Sequence, residues 1–227
     1  MSKNYSGYMG PQIGKLGPAV GFKWKNKNVF RAYNPWPKNP NTQKQQDARQ
    51  LFGAMASLSR LMSTAINFGF KFQADAEGTT TRGLFMKKNK GVITFTGGTK
   101  TINYSAIKVA EGSLTKPAFG TPGFDTPGQM NISYESNVVG PATKDDQIII
   151  LAVNPSLDEA VVGKGTRGNS GSSIRMPLPS HWGGTAVHVY GFARATVEEA
   201  TFIEDYNGNI YPGQPSDSSY LGTGTVG

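Results

Sequence analysis

Apolar positions recur at helical spacing between residues 43 and 67. Ala48, Leu51, Phe52, Met55, Leu58, Met62, Ala65 and Ile66 fall on one stripe, with Lys44, Arg49, Ser57, Ser59, Arg60 and Ser63 mostly outside it. Thr42 with Gln45 three positions on has the pattern of a capping box, and Gly69 marks the far end. The pattern predicts one long amphipathic helix within residues 42–70. After it the chain reads as β, and several segments alternate with period two. Residues 91–96, 101–109, 130–135, 147–153, 172–178 and 185–195 read as strands, with a last one at 200–205. Val187, Val189, Gly191 and Ala193 alternate with His188, Tyr190, Phe192 and Arg194. Clusters of Gly, Pro, Asn and Ser separate these runs, as at 117–128, 139–146, 163–171 and 179–184. The reading is mainly β with one long α-helix, the β part an immunoglobulin-like sandwich over 71–210. The stretch 117–128 is a possible split into two small β subdomains, and residues 211–227 read as an irregular tail.

Upstream of the helix the pattern is different. Residues 1–19 are rich in Gly and Pro and cannot bury enough apolar surface to fold alone. Val20, Phe22 and Trp24 alternate with Gly21, Lys23 and Lys25; Asn26-Lys27-Asn28 supplies a turn; Val29 to Tyr33 runs back. This predicts a β-hairpin over 20–33 with an aromatic row on one face and lysines on the other. An isolated hairpin is marginal in water, so it needs a surface to dock on. Residues 34–41 form a proline-braced spacer. Residues 1–41 are therefore read as a basic arm.

Charge sharpens that division. Residues 1–60 hold ten Lys/Arg against the single acid Asp47, and residues 61–227 hold thirteen against fourteen. The formal net charge of +8 thus lies in the first quarter of the chain. An acid-free, positive arm implies a negative partner: nucleic acid, a lipid surface or an acidic protein groove. Gly and Pro together reach 43 residues (29 and 14), so turns are many. There is no cysteine, which excludes disulfides, thiol catalysis and Cys-ligated metals. No apolar run reaches membrane-spanning length and the N-terminus lacks the apolar core of a secretory signal. Synthesis in a cytoplasm, with no membrane partner, is the expectation.

Candidate chemistry is sparse. His181 sits in a Pro-Ser-His-Trp turn, and His188 is one position of a strand. Ser170 and Ser180 lack a nucleophile-elbow setting. Residues 163–168 match G-x-G-x-x-G, but a strand rather than a helix follows, so the segment reads as a flexible basic loop. The acidic pairs Asp145-Asp146, Asp158-Glu159 and Glu198-Glu199 read as solvated loop charges, and Lys87-Lys88-Asn89-Lys90 as a basic turn. No catalytic residue, metal ligand or cofactor is assigned. The expected contacts with other copies or an anionic partner are Lys23, Trp24, Lys25, Lys27, Phe30, Arg31, Tyr33 and Trp36.

The residues Gly14-x-Leu16-Gly17-x-x-Val20-Gly21-x-Lys23-Trp24-Lys25, then Asn39-Pro40-x-Thr42-x-x-Gln45, carry a resemblance. They resemble a family of uncharacterised bacterial and phage proteins with a G-x-[LIV]-G-x-x-V-G-x-K-W-K opening and an N-P-x-T-x-x-Q helix start. The likeness covers the first 55 residues well. The last 60 match loosely, through Pro179-Ser-His-Trp182 and Val187-x-Val189-Tyr190-x-Phe192, and the middle carries no placed motif. The family has no assigned activity. Its phage members imply a non-enzymatic virion component in a capsid, portal-proximal ring or tail, with copies of itself and other virion proteins as partners. DNA contact through the arm is secondary. The alternatives are a nucleic-acid-binding protein using the arm, and a carbohydrate- or surface-binding β module with Trp182, Tyr190, Tyr206 and Tyr211 as its platform.

Overall fold

A computed structural model describes residues 3–4, 12–24, 27–96, 99–124, 127–168, 170–196 and 213–227. The chain divides into two compact units, residues 1–45 and 46–227. In the first, β1 (Lys3–Asn4), β2 (Gln12–Leu16), β3 (Ala19–Trp24) and β4 (Lys27–Ala32) form an antiparallel sheet in sequential order. Gly17, at φ +55°, turns the chain between β2 and β3, a conformation that favours glycine. The expected hairpin over 20–33 is thus two strands of a larger meander.

Helices follow the meander. α1 (Gln43–Leu61) starts where the Gln45 side-chain oxygen accepts the Thr42 amide at 3.3 Å. α2 (Ser63–Ala76) and α3 (Thr81–Lys88) follow, the Thr80 hydroxyl capping α3 by accepting the Gly83 amide. Three helices therefore replace the single long one expected, and the break falls at Met62, which is fully buried. Gly69 does not end the helix. A Cβ there would lie 2.2 Å from the Val109 carbonyl oxygen and 2.6 Å from the Ala110 Cβ. Glycine is present so that the 109–110 segment can cross α2 at backbone distance. The expected basic turn at 87–90 is the last turn of α3 and its exit.

A short hairpin, β5 (Ile93–Thr96) and β6 (Thr99–Ile102), comes next, then β7 (Ala118–Phe119) and β8 (Gln129–Glu135). The expected strand over 101–109 stops at Ile102, and a 3-10 turn occupies Tyr104–Ala106. The remaining strands are β9 (Gln147–Asn154), β10 (Glu159–Thr166), β11 (Ser172–Pro177), β12 (Ala186–Arg194) and β13 (Ser219–Thr225). They form a four-stranded antiparallel sheet in the order β10-β9-β12-β13 and a three-stranded one in the order β11-β8-β7. β10 was not expected, and it pairs with β9 along its whole length. β13 lies in the segment expected to be irregular. The expected strand at 200–205 lies outside the described residues.

The unit has three layers rather than the two of an immunoglobulin-like sandwich. Ile148, Ile150 and Ala152 of β9 join Val187, Val189 and Ala193 of β12 in a core shared with Met130, Ile132, Ile174 and Met176 of the smaller sheet. Ile149, Leu151 and Val153 face the other way. With Tyr190 and Phe192 they pack among Met62, Ile66, Phe70, Leu84 and Phe85 of the helical segment. A sandwich strand with one wet face alternates; β9 is apolar at six successive positions because both its faces are covered. Phe70 and Phe85 meet edge to face, with centroids 6.3 Å apart.

Polar locks close the loops. Arg167 and Asp146 are both buried and form an ion pair at 3.1 Å. Arg167 also donates to the carbonyls of Ser136 (2.8 Å), Asn137 (3.2 Å) and Thr115 (2.6 Å). Asp146 accepts the Thr143 amide and hydroxyl. One guanidinium thereby ties together four loop segments, its charge matched and most of its donors used. Asn89, also buried, binds the Phe85 and Lys108 carbonyls and the Lys108 amide, joining the end of α3 to the crossing segment.

Candidate functional site

The candidate site is the sheet of the first unit. Register fixes its two faces. β3 and β4 pair Val20 with Arg31, Phe22 with Val29 and Trp24 with Lys27, and β2 sets Lys15 opposite Val20. Directly opposed residues share a face, and successive residues alternate between faces. One face therefore carries Lys15, Val20, Phe22, Trp24, Lys27, Val29 and Arg31. Tyr33 extends it, its amide donating to the Pro18 carbonyl at 2.7 Å. The other face carries Gly21, Lys23, Asn28 and Phe30.

This corrects the expected segregation of aromatics from lysines. Lys23 does lie opposite the aromatic row, but the return strand brings Lys27 and Arg31 back onto it, and the Gly17 turn adds Lys15. The Lys15 ammonium sits 4.0 Å from the Tyr33 ring centroid, and the Arg31 guanidinium 5.8 Å from that of Phe22. Lys25, also expected at the site, lies outside the described residues. Trp36 lies beyond the sheet in the spacer, where its amide donates to the Asn34 side chain at 3.1 Å.

These side chains are exposed: Trp24 by 62%, Phe30 by 54% and Trp36 by 85%. Among the described residues of this unit only Gly21 is buried. A Cβ at Gly21 would lie 2.2 Å from the Gln12 carbonyl oxygen and 3.0 Å from the Phe30 ring, so only glycine fits beneath them. α1 carries two further exposed apolar side chains. Leu51 and Phe52 belong to the helical stripe, yet both are exposed, and burial starts only at Met55. Sequence reasoning missed Leu51 and Phe52 because a stripe gives a direction but not what lies against it. Lys15 was missed as well, although a two-residue turn at Gly17-Pro18 was enough to place it opposite Val20.

The second unit puts its expected chemical groups to structural use. Glu159 accepts the indole N–H of the buried Trp182 at 2.6 Å and meets His181 Nε2 at 2.6 Å; these bonds hold its carboxyl below the ordinary range. His188 stacks on Tyr104, with centroids 4.1 Å apart, and its Nδ1 lies 2.9 Å from the Tyr220 hydroxyl. Burial lowers the pKa of that imidazole. Tyr190 is buried, and its hydroxyl donates to the Tyr104 carbonyl at 2.7 Å. Trp182 and Tyr190 therefore cannot present an aromatic platform, and Tyr206 and Tyr211 lie outside the described residues, as do Glu198 and Glu199.

The glycine-rich segment 163–168 is not a flexible basic loop. Gly163 and Gly165 belong to β10 and give room to Met176 and Ile174 of β11, while Arg167 is the buried partner of Asp146. Asp146 is accordingly not a solvated charge. Lys87 and Lys88 pair with Glu77 and Glu111. Among the described residues no group of three or more His, Asp or Glu is placed to hold a metal, and no helix is long and apolar enough to cross a membrane.

No curated protein and no solved structure matches the chain. A family model does, and it spans the arm, the helices and most of the β unit, including the middle region where no motif had been placed. It describes a family of unknown function, DUF6266; it matches residues 11–202, and the chain belongs to that family.

Proposed function

We propose that this protein is a non-enzymatic structural component of a phage-type particle, assembling in repeated copies through its N-terminal unit and the start of α1. One observation carries the reading. Of the eleven large hydrophobic side chains exposed among the described residues, eight lie between positions 13 and 52: Ile13, Leu16, Trp24, Phe30, Tyr33, Trp36, Leu51 and Phe52. Exposed large apolar side chains concentrated in one stretch of the chain support surfaces that are covered only on association. Particle proteins need repeated contacts of that kind, and a rigid body to carry them. Here the body is supplied by the second unit, with its doubly covered sheet.

The test is the mass of the full chain in solution. The wild type is expected to form multimers. Phe30→Ser combined with Trp36→Ser and Phe52→Ser should give monomers with an unchanged far-ultraviolet circular dichroism spectrum. A triple variant that still assembles would sink the reading. The cations set among the exposed rings favour a second reading, nucleic-acid binding by the arm.

A further inference from the structure

We propose that the Phe22 face of the N-terminal sheet binds single-stranded nucleic acid, with one nucleotide to each of three aromatic–cation couples. The inference rests on the second reading above and names its ligand class and its face. The couples are Trp24 with its cross-strand partner Lys27, Phe22 with Arg31, and Tyr33 with Lys15. Val20 and Val29 lie on the same face. No acidic residue precedes Asp47 in the chain, so none on this sheet offsets the three cations.

The pairing of ring with charge selects the ligand. An acidic protein groove or an anionic lipid surface answers the charge but brings no planar group for the rings. A duplex keeps its base faces inside its own stack and offers phosphates alone. A single strand brings one base face and one phosphate per nucleotide, the same ratio the sheet presents. In the free protein the Lys15 and Arg31 cations rest over the rings of Tyr33 and Phe22. On binding, a base takes the ring and the long cationic side chain swings to the phosphate of that nucleotide. Such contacts read no base edge, so binding tolerates any sequence, with a preference set by stacking.

The experiment is fluorescence anisotropy on the full chain at two salt concentrations. The probes are a short labelled oligothymidylate, a duplex of equal length and labelled polyglutamate. The oligothymidylate should bind at least about tenfold more tightly than either control. Trp24→Ala should cost about tenfold or more in affinity and leave the salt slope in place. Lys15→Gln with Lys27→Gln and Arg31→Gln should reduce that slope by about 2, at roughly 0.7 per phosphate contact. Asn28→Ala, on the opposite face, should change neither. Equal binding of polyglutamate would mean an acidic protein partner and overturn the proposal. Equal binding of the duplex, or Trp24→Ala with wild-type affinity, would do the same. Light scattering without nucleic acid keeps the two ideas apart: a monomer that binds oligothymidylate defeats only the assembly reading, and a multimer that ignores it defeats only this one.

Discussion

The sheet of the first unit and the four-stranded sheet of the second are both antiparallel and four-stranded, yet they end differently. β9 has apolar residues buried on both faces, covered by helices on one side and the smaller sheet on the other. β3 alternates more cleanly, but Gly21 is the only buried residue among the described ones of its unit. The first unit has about forty residues, too few to build a core, and its described residues form a single sheet. The second has enough chain to wrap its sheet. Surface exposed in one unit and buried in the other thus follows from how much chain each has to cover its strands.

The largest expected effect tests whether the second unit depends on its buried lock. Asp146→Ala leaves the Arg167 charge buried without its partner and should cost about 3–5 kcal/mol in urea unfolding. A loss below about 1 kcal/mol would mean the loops hold without it. Next comes the crossing at α2. Gly69→Ala puts a methyl group 2.2 Å from the Val109 oxygen and should cost about 1–3 kcal/mol. Gly53→Ala, in α1 with nothing within 4 Å of the new methyl, should instead stabilise by about 0.4–1 kcal/mol. Equal effects at the two sites would remove the packing explanation of Gly69.

A smaller effect concerns pH. Burial lowers the pKa of His188, so the unfolded chain takes up its proton at higher pH than the folded protein does. The stability tied to this group is fully present above about pH 6.5. It is lost as the pH falls from there through the folded-state value. Glu159, whose carboxyl is held low, loses its contribution only below about pH 4.3. Melting between pH 7.5 and 5.5 should therefore show a fall in midpoint that His188→Phe reduces; an identical fall in the variant would exonerate the imidazole. Trp36→Ala should have the least effect, within about 0.5 kcal/mol on unfolding of the second unit, because its side chain is 85% exposed. A larger loss would mean that the arm belongs to the core after all.

Much of this was legible in the chain. Residues 130–135 and 185–195 do lie in strands, where a half-covered strand imposes period two on its side chains, and the apolar run 147–153 was legible by its strand-like length. The start of the first helix was legible for a similar local reason, Thr42 and Gln45 being within reach of each other's backbone. Other signals misled. Gly69 and the pair Gly163 and Gly165 looked like punctuation, and each is a place where another element comes close. Arg167 read as part of a basic loop, since its partner Asp146 lies twenty-one positions away and only the fold brings the two together. Lys23 was placed on its correct face, but Lys15, Lys27 and Arg31 were not seen to join the aromatic row, because counting along one strand ignores which residues its neighbours return beside it.

By itself the sequence determined what depends on neighbours in the chain: the strand periods, the first cap, the turn-rich arm and the collection of positive charge ahead of Asp47. The tertiary structure alone decided which faces are covered. Burial is set by elements far apart in the chain, so Leu51 and Phe52 can share a stripe with Met55 and still stand in water. It also decided that Lys15, Lys27 and Arg31 lie among the aromatic rings, because register, unlike periodicity, is a property of strands taken together.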